Sequence, residues 1–210
     1  MKKTFVLVVL FVFPIVAYLF FASGINNFGR LPILTNNISD ISSLEGSETM
    51  EGNITVLGFL GTEVDLKKGN AFNLNQKIYK PFYQFKDFQF VMVLPKGTEE
   101  EVGNLQKELG SLGDVSKWRF VYAEPDQIKA LFESLRTDID LDADLGTPYV
   151  FIVDKDLNLR GRKDDDGQGT KYGFDTSSVA DLNNKMEDDV KIVLAEYRMA
   201  LKKNNAERSK

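Results

Sequence analysis

Apolar residues fall into three kinds of run along this chain. The first is a continuous block over residues 5–22, interrupted only by Pro14 and preceded by Lys2 and Lys3. Eighteen residues at helical rise cover about 27 Å, close to the thickness of a bilayer's hydrocarbon core. The block therefore predicts a transmembrane helix within residues 1–22 that meets membrane lipid through 5–22. The paired lysines hold its N-terminus in the cytoplasm and send the rest of the chain across. A cleavable signal sequence has the same charge pattern but a shorter apolar core, about 7–15 residues. Ala22-Ser23-Gly24 would serve as its cleavage site, yet length favours an uncleaved anchor.

The second kind of run is short and rich in β-formers: residues 54–60, 88–94, 118–122 and 149–153. Such runs suit strands covered on both faces. The third kind recurs every three or four residues, as in helices with one buried face. Phe72, Leu74, Ile78 and Phe82 form one set. A second helix starts at Thr98, with Glu101 three residues on as a capping box, and runs to about Leu112. A third begins at Pro125-Asp126 and carries Ile128, Leu131, Phe132 and Leu135. The last is capped by Ser177 or Ser178 and carries Val179, Leu182, Met186, Val190, Val193, Leu194, Tyr197 and Leu201. Asp154-Lys155-Asp156-Leu157 predicts a turn that returns through 158–161 as a further strand.

The predicted order is β-α-β-α-β-α-β-β-α, an α/β domain with parallel strands and an antiparallel closing hairpin. That is the element order of a thioredoxin-like fold. Residues 23–51, rich in Asn, Ser and Gly, read as a polar tether with a short strand near 38–41. The domain spans 52–203, and 204–210 form a basic tail. The polar stretch 163–176 reads as an exposed loop.

Composition narrows the chemistry. The chain has 210 residues, 43% of them hydrophobic, and a net charge of −5. That is a globular composition with no basic footprint for nucleic acid. It contains no cysteine and no histidine. Thiol redox chemistry, thiolate metal sites and imidazole bases are thereby excluded. The five methionines (Met1, Met50, Met92, Met186, Met199) form no local cluster that would suit soft Cu(I). No cofactor is expected.

Residues 54–61, ending Gly58-Phe59-Leu60-Gly61, resemble the first core strand of the Sco/SenC-like family. Thr147-Pro148 before a buried strand resembles the cis-proline turn of the thioredoxin superfamily. Asp154-Lys155-Asp156, leading into Asn158-Leu159-Arg160-Gly161, resembles its final hairpin. The resemblance implies a membrane-anchored thioredoxin fold that handles copper during cytochrome oxidase assembly. The family's two cysteines would fall at Thr62 and Leu66, and its histidine near Gly146, beside Pro148. None of these residues can replace a thiolate or an imidazole. The chain is thus expected to be a Sco-like member with a degenerate site. On this reading it is a single-pass protein of the cytoplasmic (inner) membrane, its domain facing the periplasm. It would act as a non-enzymatic binding or assembly module with a protein partner in the membrane.

Two other readings stay open: an enzyme using Glu63 and Asp65 as acid and base, which requires their burial, and a structural partner of an unrelated membrane complex. Asp138, Asp140, Asp142 and Asp144 alternate, so an extended backbone would aim all four one way. As a calcium loop the run fails, with Ala143 at position six and Tyr149 at position twelve. It reads as a solvated acidic loop, with a weak cation role as the alternative. Asp164-Asp165-Asp166-Gly167 reads as an exposed turn. Gly167–Gly173 lacks phosphate-loop spacing. The aromatic group Tyr79, Phe82, Tyr83, Phe85, Phe88 and Phe90 reads as core, with Phe85 or Tyr83 exposed.

Overall fold

A computed structural model describes residues 2–22, 29–44 and 49–208, without the side chains of 2–5, 8, 17, 19–22 and 201–208. The possible cleavage point beyond Ala22, parts of the expected tether and the last two residues of the basic tail lie outside these. Helix α1 spans Lys2–Ala22. Among the described residues no helix is long and apolar enough to cross a membrane.

The strands are β1 (Ile33–Thr35), β2 (Ile54–Leu60), β3 (Phe88–Pro95), β4 (Trp118–Ala123), β5 (Gly146–Val153), β6 (Leu159–Arg160) and β7 (Phe174–Asp175). They form one sheet in the order β1-β6-β5-β2-β3-β4, with β7 also on β5. β2, β3 and β4 are parallel, whereas β5 runs antiparallel to β2 and pairs with β6 as a hairpin. The predicted alternation and closing hairpin are both present.

Period-two alternation distributes the central strands between two cores. Ile54, Val56, Phe88, Phe90, Met92, Val150 and Ile152 face one side. Leu57, Phe59, Val91, Val93, Phe151 and Val153 face the other. The first side is covered by α2 (Lys68–Leu74), which passes through a π-turn into α3 (Lys80–Phe82), by α4 (Glu99–Gly110), and by the last helix. That helix starts as α6 (Val179–Asp181), capped by the Ser178 hydroxyl, and continues through a second π-turn into α7 (Glu187–Arg208). Its backbone is helical as far as Arg208, within the region read as a basic tail. The second side is covered by α5 (Pro125–Ser134) through Ile128, Leu131 and Phe132.

The described part of the expected tether differs most from the sequence reading. Ile38, Ile41, Leu44 and Met50 are buried in the second core, and Leu31 in the first. Residues 41–43 form a single 3-10 turn rather than a strand; the strand lies earlier, at β1. Each large aliphatic side chain so buried contributes about 1.5–3 kcal/mol, enough to hold a polar segment on the sheet. The capping box at Thr98 is also absent: its buried hydroxyl donates to the Pro95 carbonyl at 2.9 Å. The aromatic group packs as expected, with Tyr79, Phe82, Phe88 and Phe90 buried and Phe85 39% exposed.

Candidate functional site

The positions read as a degenerate site, Thr62, Leu66, Gly146 and Pro148, lie at the end of the sheet where β2 stops and β5 starts. Leu60 pairs with Gly146. Gly61, at φ +70°, then turns the chain, and the Thr62 amide donates to the Asp144 carbonyl at 3.0 Å. A 3-10 turn over Val64–Lys67 leads into α2 and buries only Val64. It leaves Thr62 exposed and Leu66 79% exposed. The positions matched to the two cysteines therefore point outward. Pro148 lies within β5 and is trans, since the described residues contain no cis peptide bond. The cis turn implied by the resemblance is not formed; the Pro148 carbonyl instead accepts from the Thr176 amide at 2.9 Å and hydroxyl at 2.6 Å.

An ion pair absent from the sequence reading occupies this end. The Lys67 ammonium sits 2.7 Å from Asp144 Oδ2, and the Gly146 amide donates to Asp144 Oδ1 at 3.1 Å. Burial pushes the Asp144 carboxyl up, but the Lys67 and Gly146 hydrogen bonds outweigh it and hold the group below the usual carboxylate range. A β-carbon on Gly146 would fall on the Lys67 ammonium and lie 2.9 Å from the Leu60 carbonyl oxygen. The space that a side chain at 146 would need is thus filled by the Lys67–Asp144 pair. Copper does not fit: the donors here are one ammonium, one engaged carboxylate and a hydroxyl, with no sulfur or imidazole.

Glu63 and Asp65 are both exposed, and Asp65 pairs with Lys68 at 3.0 Å. An apolar cavity of about 10 Å³ at this end is lined by Gly58, Leu60, Lys67, Met92, Trp118 and Thr147, among others. That is about the room of one water molecule, and neither Glu63 nor Asp65 lines it.

The acidic run does not act as one face. Asp138, Asp140 and Asp142 are exposed, while a turn closed by Leu145 N–H to the Asp142 carbonyl, with Leu145 at φ +64°, sets Asp144 apart. Among the described residues no three acidic side chains are grouped to hold a metal ion. The Asp164–Asp166 turn departs from its reading at its centre. Asp165 is buried against the Lys185 ammonium and Arg162. Arg162 also grips Asp189 through two bonds of 2.8 and 3.0 Å. The polar loop 163–176 is therefore tied to the last helix, and it contributes β7.

The opposite end of the sheet holds a second network. Asp154 is buried; its Oδ1 accepts from the Asp156 and Asn158 amides, and its Oδ2 from Asn158 and, at 3.0 Å, from Arg160. The buried Arg160 also donates to the Leu31 carbonyl and, at 2.6 Å, to Glu196. Glu196 in turn accepts from the Leu31 amide at 2.8 Å. The hairpin, α7 and the N-terminal segment are locked at one point. The sequence signalled the turn but not its buried charges.

No family model and no curated protein matches the chain. Among solved structures it is similar to BsSco, a member of the Sco family of cytochrome c oxidase assembly proteins. The TM-score is 0.51 at 8% identity, over 78% of this chain and 97% of that one. It is also similar to ScoI of Arabidopsis thaliana with copper bound (TM-score 0.43, 15% identity, 69% and 89% covered). A third is the thioredoxin domain of a thiol-disulfide oxidoreductase from Bacteroides vulgatus (TM-score 0.44, 18% identity, 77% and 95% covered). With the sheet order and the closing hairpin, the likeness to BsSco shows that the chain has a mixed α/β, thioredoxin-like fold.

Proposed function

We propose that the chain is a membrane-anchored, extracytoplasmic, Sco-like domain that works by binding rather than by redox or copper chemistry, as an assembly module in respiratory-complex biogenesis. The observation that carries this reading is the Lys67–Asp144 pair beside Gly146. It occupies the end of the fold where the resemblance expects a copper site and satisfies its own charges there. The anchor is supported by α1, whose Val6, Leu10, Phe11, Phe13, Ile15 and Tyr18 are all exposed. The described residues of α1 fall short of a span alone; the sequence of 5–22 supplies the remaining apolar positions. No feature of Glu63 or Asp65 favours the acid–base alternative. The link to cytochrome oxidase rests on what BsSco is described as doing.

The test is chemical cross-linking of the tagged full-length protein in its own membranes, with captured proteins identified by mass. The expected result is recovery of oxidase subunits or of a copper-binding Sco protein. Consistent recovery of an unrelated complex would overturn the oxidase link.

A further inference from the structure

We infer that the end of the domain opposite the degenerate site is a docking face for an anionic bilayer surface, which turns the degenerate site away from the membrane. This rests on the proposal that α1 is a membrane anchor. The first support is chain length. Leu31 is fixed to Glu196 and Arg160 at this end. From Ala22 to Leu31 the chain has nine residue steps, which reach at most about 32 Å. A domain tied that closely to the end of a membrane helix has this end near the headgroups.

The second support is the shape and charge of that face. Between the end of α3 and α7 lies a hollow of about 360 Å³, lined in part by Ile54, Gln84, Phe85, Lys155, Tyr197 and Arg198. A second hollow of about 140 Å³ adjoins it, sharing Phe85, Leu194 and Arg198. Phe85, Lys86 and Arg198 are exposed at its rim. The nearby carboxylates are offset only in part: Asp87 by Lys155 at 2.5 Å, and Glu196 by an Arg160 that it shares with Asp154, while Asp156 keeps its charge against the neutral Tyr197 hydroxyl at 2.9 Å. Lys86 and Arg198 balance what remains, and the basic excess of this end comes with the continuation of α7. α7 then continues past Tyr197 for eleven residues, roughly 16 Å. Over that stretch the sequence carries Arg198, Lys202, Lys203 and Arg208 against one acid, Glu207. An exposed aromatic with basic neighbours suits the interface between headgroups and acyl chains.

The absence of cysteine allows single-site labelling of the full-length chain. Gln84→Cys and Glu63→Cys would each carry a fluorophore, in nanodiscs that hold nitroxide-headgroup lipid. The lipid is either phosphatidylcholine alone or phosphatidylcholine with phosphatidylglycerol. The expected result is quenching at 84 and not at 63. It should need phosphatidylglycerol and disappear near 1 M salt, where screening acts over about 3 Å. Adding Lys86→Glu and Arg198→Glu to the Gln84→Cys chain should weaken docking more than about twentyfold, at about fivefold per cation lost. Equal quenching at both sites, no quenching at either, or quenching at 84 indifferent to lipid charge and salt would each overturn the docking face. If label elutes with the discs in those cases, the anchor stands; if it elutes apart from them, the anchor reading fails and takes the docking face with it.

Discussion

The two ends of the sheet are both closed by buried or half-buried ion pairs, but they close different things. At one end Lys67 and Asp144 join two loops and leave no room for a side chain at position 146. At the other, Arg160 joins three separate parts of the chain through Asp154, Glu196 and the Leu31 carbonyl. The first pair is partly open to water; Arg160 and Asp154 are not. The same chemistry therefore fills a site at one end and determines at the other how an N-terminal segment joins the domain.

Arg160→Ala separates these roles most strongly. It leaves Asp154 buried without its cation and frees the Leu31 carbonyl. Breaking a buried pair in this way costs about 3–5 kcal/mol. Denaturant unfolding of the variant would show the loss, and limited proteolysis should cut first in the segment around 29–35. A loss under about 1 kcal/mol would show that the network does not hold the segment.

Gly146→Ala is the next largest. The added methyl meets the Lys67 ammonium and the Leu60 carbonyl. Overpacking of this kind costs about 1–3 kcal/mol. The cost should shrink in a Lys67→Ala background, because the flexible partner is then gone. Equal costs in both backgrounds would mean that the Leu60 backbone, not the ion pair, forbids a side chain there.

The central strands were legible because they are short continuous runs of β-formers, as strands covered on both faces require: 54–60, 88–94 and 149–153 all became core strands. Segment 29–51 was not, because its few apolar residues (Leu31, Ile38, Ile41, Leu44, Met50) are spaced by Asn and Ser and follow neither period. Asp144 was misread for a related reason. Four alternating acids look like one solvated face, and only the turn at Leu145 separates the fourth from the rest. Lys67 gave no local signal, since its partner lies 77 residues away. Thr62, Leu66, Gly146 and Pro148 come to one end of the sheet, and what fills the space beside them depends on that long-range pair.

The Lys67–Asp144 pair has a signature in acid. The folded pKa of Asp144 lies below its ordinary value of 3.8, so its contribution to stability is fully present above 3.8. It is lost as pH falls through the lower folded value, where the unfolded chain binds the proton more readily. Asp144→Asn should therefore cost about 1 kcal/mol near neutral pH, at the upper end of the scale for an ion pair still open to water. It should also flatten part of the acid limb below pH 3.8. Part of the slope should remain, because Lys185 outweighs burial and likewise lowers the carboxyl of Asp165. A variant with an unchanged acid limb would show that the pair adds nothing to stability.

The smallest effect is expected at Leu66, and it is informative for that reason. The resemblance places a cysteine here, yet the side chain is 79% exposed on a 3-10 turn. Leu66→Ser removes apolar surface that folding hardly buries, so unfolding free energy should change by no more than about 0.5 kcal/mol. A leucine kept in water gains nothing for the fold, but it would contribute to a contact. If the assembly reading is right and this end meets the partner, the serine variant should keep its stability and lose cross-linked partner. A variant that loses stability by more than about 1 kcal/mol would mean that Leu66 is packed in solution. The turn would then be closed over the old site rather than open beside it.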